Sequence, residues 1–195
     1  MIKSTMINGV KVDELFSTID AIKENPEIAK SKFSAKNVWI NGGHNRTTVD
    51  EFYGACEPRK HDNPFVFDKD EPPLLLGEDK GANPVEYALV ALAGCLTTSM
   101  VYHAAAKGMK IDRIEATLEG DLDLRGFMGI SEQVRKGYQG VRVTYKIDGD
   151  LTEEQKEELC RMAARYSPVH DIFTNKVPVT VRHQSQMNTR ETVPM

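Results

Sequence analysis

From Tyr87 to Ala106 the chain reads YALVALAGCLTTSMVYHAAA, a run with no residue that is fully charged at pH 7. As a helix, a run of this length would span a bilayer. About half of it is Ala, Gly, Ser, Thr and His, which insert poorly. No second span follows, and Glu78, Asp79 and Glu86 rather than basic residues lead into it. It therefore reads as a helix buried on nearly all sides within a fold, with no membrane partner. Its ends are marked. Asn83 fits the N-cap, Pro84 the first helical position and Glu86 the third, which completes a capping box, and Gly108 suits the residue just past the end.

A helix that is apolar all round needs cover on every side, and a few antiparallel strands cover only one. The long polar stretch 54–83, with prolines at 58, 64, 72 and 73, reads as loop and adds little core. Small residues (Ala88, Ala91, Ala93, Gly94, Ala104) would let another helix approach closely. The economical cover is the same helix of a second copy, which predicts a homodimer.

The remaining elements follow from periodicity. Val12, Leu15, Phe16, Ile19 and Ile22 give an amphipathic helix over 11–23, ended by Pro26. Asn41-Gly42-Gly43 between two extended runs predicts a hairpin. Ile114, Ala116, Leu118, Gly120, Leu122 and Leu124 alternate with acidic or polar residues. Val141, Val143, Tyr145 and Ile147 alternate with basic ones, so the two segments suit antiparallel pairing of an acidic face with a basic face. Thr152 and Gln155 open a helix over 153–166, which Ser167-Pro168 breaks, and 177–183 predicts a last strand. The sum is an α+β fold in a single domain over 1–195. Within it, 1–33 is an N-terminal helical extension, 34–183 the core and 184–195 a flexible tail.

Composition sets the outer limits. Lys and Arg number 25 against 29 Asp and Glu, a formal charge of −4, which argues against a nucleic-acid partner. The three cysteines, without CxxC spacing, make neither a disulfide framework nor a zinc site. They point to free thiols in a reducing, cytoplasmic compartment. The first residues, MIKSTMINGVKVDELF, show no apolar secretory core. His44, His61, His103, His170 and His183 show no metal spacing, and Gly77-Glu78-Asp79-Lys80-Gly81 is no phosphate loop, so no cofactor is expected. His44 and His61 read as surface residues, and His103 as needing a polar partner.

Cys95 is the residue with chemical promise. Taken alone, a cysteine on an apolar helix is inert core. Burial disfavours the thiolate, and position 95 is too far into the helix to gain from its positive end. A reactive Cys95 needs a cation brought from elsewhere in the chain.

Three segments carry a family resemblance: GANPVEYALVALAGC (81–95), DLRGFMGISEQVRKGYQG (123–140) and YSPVHDIFTNKVPV (166–179). In this order they resemble the OsmC and organic hydroperoxide resistance proteins. The resemblance implies antiparallel sheets wrapped around two long central helices in an intertwined homodimer. It also implies a thiol peroxidase, in which a helix thiolate attacks the O–O bond of an organic hydroperoxide and becomes a sulfenic acid. A second cysteine then condenses with that acid, and a dithiol restores the enzyme. Cys95 matches the attacking cysteine. Arg46 stands approximately where the family carries its arginine, with Arg59, Arg125 and Arg135 as competitors.

Two positions depart from the family pattern. Ser167 occupies the place of the second cysteine in Ser167-Pro168-Val169. Val85 occupies that of the acid after Asn-Pro, and Glu86, one residue later, is accounted for by its capping box. Cys160 lies two helical turns before Ser167 among core neighbours, and Cys56 lies in a loop. The expectation is therefore reduction of organic hydroperoxides through Cys95, with an external small thiol or dithiol as reductant. The alternative is a non-peroxidase dimer of the same fold that binds a small apolar ligand, with Cys95 structural.

Overall fold

The computed structural model describes residues 5–183, so the expected tail at 184–195 lies outside the described residues. A short hairpin, β1 (Met6–Ile7) and β2 (Val10–Lys11), turns through Asn8 and Gly9, both at positive φ. Helix α1 (Val12–Glu24) follows and lies against the long helix. The Asn8 side chain ties this extension to the rest: its Nδ2 donates to the Met109 carbonyl, and its Oδ1 accepts from the Ile111 N–H.

The first sheet is β3 (Lys32–Phe33), β4 (Lys36–Asn41), β5 (His44–Gly54) and β6 (Glu57–Lys69). Strand β5 lies in the middle, with β3 and β4 sharing one of its edges and β6 along the other, all antiparallel. The β4–β5 turn is the expected one, with Gly42 at φ +53. Strand β6 corrects the expectation of loop over 54–83. Its prolines conceal it in the sequence, yet both are compatible with an edge strand. Pro58 opposes Tyr53, and Pro64 falls where the register slips between Val49 and Glu51, so that 61–64 bulge opposite Asp50.

The rest of that stretch is irregular but tightly held. Asp70 is buried, and its carboxylate accepts N–H bonds from Glu71, Glu78 and Lys80. At Gly77 a Cβ would fall 1.8 Å from the Glu71 carbonyl oxygen, and at Gly81 2.2 Å from that of Asp68. Only glycine allows these approaches. The loop delivers the chain to α2 (Pro84–Ala106), whose expected capping box is complete: the Asn83 side chain accepts from the Val85 N–H, and Glu86 accepts from the Asn83 N–H.

After α2, Gly108 takes φ +73 and the chain enters β7 (Arg113–Asp121). The alternation seen in sequence runs past the strand end, because Asp123 caps the short helix α3 (Leu124–Phe127). Strand β8 (Gly140–Asp148) pairs antiparallel with β7 as expected, in a register that sets Glu119 opposite Arg142 and Glu115 opposite Lys146. Helices α4 (Glu153–Tyr166) and α5 (Pro168–Thr174) follow.

Helix α5 was not foreseen, and the expected final strand is not found: 177–183 is not assigned to any strand, and Val177, Val179 and Val181 are 51%, 81% and 92% exposed. Alternation specifies a strand only where a ladder edge is within reach, and no strand of the described chain pairs with this segment.

The core joins Leu92, Leu96, Met100 and Ala104 of α2 to Ile147 of β8 and to Leu159, Met162 and Ala163 of α4. The α2 residues fall four apart and so form one stripe. The reading of a helix covered on nearly all sides therefore holds for one face only, since within this chain Val90 is 61% and Tyr102 48% exposed. By length and composition α2 could cross a membrane, but it carries the core of this fold.

Candidate active site

Cys95 is fixed by the register of α2. It adjoins the core residue Leu96 and is itself half-buried. Its other neighbour, Gly94, is exposed, and a Cβ added there would meet nothing within 4 Å. The thiol thus sits at the border between the packed stripe and the uncovered face of the helix. Cys56, Cys95 and Cys160 are all free thiols. Burial pushes the Cys160 thiol up, Arg161 working against this and Glu157 with it; the residue is half-buried on α4 and packs against the edge of the core. Cys56 is exposed in the turn after β5 at φ +65.

Arg46 sits on β5, directly opposite Asp68 of β6. The two form a bidentate pair, Nε–Oδ1 2.9 Å and Nη2–Oδ2 3.1 Å. His44 Nε2 reaches the same Oδ1 at 2.9 Å. The Arg46 hydrogen bond, then that of His44, holds the Asp68 carboxyl below its ordinary value, and Asp68 in turn raises Arg46. The Asp68 backbone carbonyl accepts from Tyr87 Oη of α2 at 2.9 Å, which ties this cluster to the helix that carries Cys95. Among the described residues no hydrogen bond or ion pair joins Arg46 to Cys95.

Ser167 is 3% exposed and caps α5, its hydroxyl accepting from the His170 N–H at 3.1 Å. A serine at the position of the second cysteine thus has a structural use of its own. The Val85 carbonyl accepts from Tyr138 Oη at 2.7 Å, while Glu86 is engaged with the helix start.

The histidines differ from expectation. His44 is half-buried against Asp68, and His61 lies between the rings of Phe52 and Phe65, 5.2 and 5.0 Å away. Within this chain His103 stacks on Tyr166 at 4.1 Å, and its ring has no polar partner among the described residues. Burial, then Lys107, pushes its pKa down. Asp68 is the residue that sequence reasoning missed. Its signal was positional, since it faces Arg46 only once β6 is recognised as a strand.

Taken together, the parts are a half-buried helix thiol bordering an open face, and an arginine clamped by an aspartate that is tied to the same helix. The OsmC family, described as OsmC-like protein, matches residues 77–182, more than half of the chain, and the chain belongs to that family. Solved structures agree on the fold. An organic hydroperoxide resistance protein OsmC from Legionella pneumophila superposes with a TM-score of 0.54 at 22% identity, over 73% of this chain and 89% of that one. An organic hydroperoxide resistance protein from Elizabethkingia anophelis gives 0.52 at 18% identity, over 73% and 88%. An OsmC-like protein from Mycoplasma pneumoniae gives 0.54 at 16%, over 73% and 86%. At these identities the likeness shows the fold. No curated protein matches the chain in sequence.

Proposed function

We propose that this chain reduces organic hydroperoxides through Cys95, with an external thiol as reductant, and works as a homodimer. The observation that carries the reading is the position of Cys95 within the family-matched segment 77–182, half-buried and beside the open Gly94. The names of the Legionella and Elizabethkingia structures point the same way.

In this reading the Cys95 thiolate attacks the terminal peroxide oxygen. The O–O bond breaks, the sulfur is oxidised to sulfenic acid, and the leaving alkoxide takes a proton to become an alcohol. A first external thiol condenses with the sulfenic acid and expels water, leaving a mixed disulfide on Cys95. A second thiol attacks that disulfide, frees the Cys95 thiol and leaves as the oxidised reductant. With Ser167 acting as a helix cap and the half-buried Cys160 thiol pushed up by burial, no second protein thiol is assigned to the cycle. Arg46 is the proposed cation, held ready on β5 by Asp68. The open face of α2 is the proposed dimer contact.

The test is intact-mass analysis after brief exposure to cumene hydroperoxide with a sulfenic-acid trap. Wild type should gain the trapped mass rapidly, whereas folded Cys95→Ser should not. A gain no faster than that of a denatured thiol control would sink the proposal. It would favour a second reading, a non-peroxidase dimer that binds a small apolar ligand, which the engagement of Arg46 by Asp68 and of Ser167 by His170 supports.

A further inference from the structure

A cleft of about 510 Å³ opens between the inner face of β8 and helix α5, with Leu92, one helical turn before Cys95, in its wall. Leu92, Val141, Val143 and Phe173 form its apolar walls, and Arg135 and His170 lie on its lining. A second hollow of about 370 Å³ shares Val143 and His170 with it and extends inward to Tyr145. The Tyr145 hydroxyl is buried at its inner end, with Thr97 of α2 beside it. These volumes fall in the range of small-molecule sites.

The charge in this groove has one sign. Among the described residues no carboxylate lines either hollow. The Arg135 side chain makes no ion pair or hydrogen bond among the described residues, in contrast to Arg46, Arg59, Arg113, Arg125 and Arg142, each of which faces an acid. The loop bearing Arg135 is pressed onto two glycines. A Cβ at Gly126 would stand 2.6 Å from the Arg135 carbonyl oxygen, and one at Gly120 would stand 2.5 Å from the Tyr138 ring. Tyr138 Oη also bonds the Val85 carbonyl at 2.7 Å, which fixes the loop to the start of α2. An unpaired guanidinium on a braced loop, beside an apolar channel, is a receptor for an anion that carries an apolar body.

We infer that the β8–α5 cleft binds a small amphipathic carboxylic acid. Its carboxylate pairs with Arg135 beside His170, and its apolar body lies along Val141, Val143 and Phe173 toward Tyr145. The inference does not use the Cys95 thiol, so its test uses Cys95→Ser as well as wild type.

The probe is decanoate below its aggregation concentration, titrated calorimetrically, with 1-decanol as the uncharged control. The expected result is saturable binding to one site per chain, equal in wild type and Cys95→Ser. It should weaken by about tenfold or more in Arg135→Gln and for decanol. Val143→Trp, which fills the channel and keeps the cation, should abolish binding, and far-ultraviolet circular dichroism of both variants would confirm that they fold. Decanoate binding that is unchanged in Arg135→Gln, or absent from wild type, would overturn the assignment. So would hydrogen-exchange protection of 170–174 that rises with protein concentration and ignores decanoate, since that would make the cleft an interface between copies.

Discussion

Arg46 and Asp68 meet as direct cross-strand partners, with two hydrogen bonds of 2.9 and 3.1 Å joining guanidinium to carboxylate. The arginine singled out to serve Cys95 is therefore pre-set in one orientation by an acid 22 residues away. If it acts on the thiol, it acts as half of an ion pair, and Asp68 becomes a positioning residue.

The acid limb of stability should reflect such pairs. The Asp68 carboxyl is held low by Arg46 and His44, and that of Asp123 is held down to about 2 by its bonds to Arg125. A depressed folded value means that the contribution is present above the unfolded value of 3.8 and is lost as pH falls through the folded one. Urea midpoints should therefore fall from about pH 4 to 2, modestly because both pairs face solvent. The doubly substituted Asp68→Asn, Asp123→Asn protein should show a shallower fall, and an unchanged slope would count against these two pairs as its source.

At the start of α2, the capping role of Glu86 and a catalytic role make different predictions. Asn83→Ala should cost about 1 kcal/mol in denaturant unfolding. Glu86→Gln keeps an acceptor for the Asn83 N–H, and it should leave both stability and the rate of Cys95 oxidation within twofold of wild type, about 0.4 kcal/mol.

Ser167 offers a second capping test. Removing its hydroxyl in Ser167→Ala leaves the His170 N–H without its acceptor in a buried setting. The expected loss is about 1 kcal/mol of stability, with no change in the rate at which hydroperoxide oxidises Cys95. A collapse of that oxidation rate would give the hydroxyl a chemical role.

The core and the chain end should respond very differently. Leu159 is fully buried, so Leu159→Ala should cost about 2–5 kcal/mol. Val181 is 92% exposed, and Val181→Ala should stay within about 0.5 kcal/mol. A much larger loss at Val181, growing with protein concentration, would show that a second copy covers it.

Much of the fold was legible because local signals and tertiary contacts agree. Both capping boxes formed where Asn83–Glu86 and Thr152–Gln155 predicted them, and the antiparallel pairing of β7 with β8 follows from two matched alternations. Strand β6 was illegible because its evidence is non-local. Pro58 and Pro64 read as breakers until β5 supplies an edge and a bulge to accommodate them. The opposite failure occurred at 177–183, where alternating valines promised a strand but no described strand pairs with it. The long helix and the place of Cys95 on it could be read directly. The Asp68 clamp and the cap made by Ser167 could not, because each depends on how distant or successive backbone segments are placed.

The crowding at Gly77 and Gly81 has a practical side. The polar, proline-bearing stretch around them looks like the natural place to insert an epitope or to expect a protease to cut. Yet its backbone lies against residues 68–71 with no room for a single added carbon, and the buried Asp70 carboxylate holds three of its amides. Gly42 sits in a hairpin where a new side chain would meet open space, although at a positive φ that favours glycine or asparagine. Anyone grafting a label onto this protein should extend the short β4–β5 turn and leave the longer, more hydrophilic loop untouched.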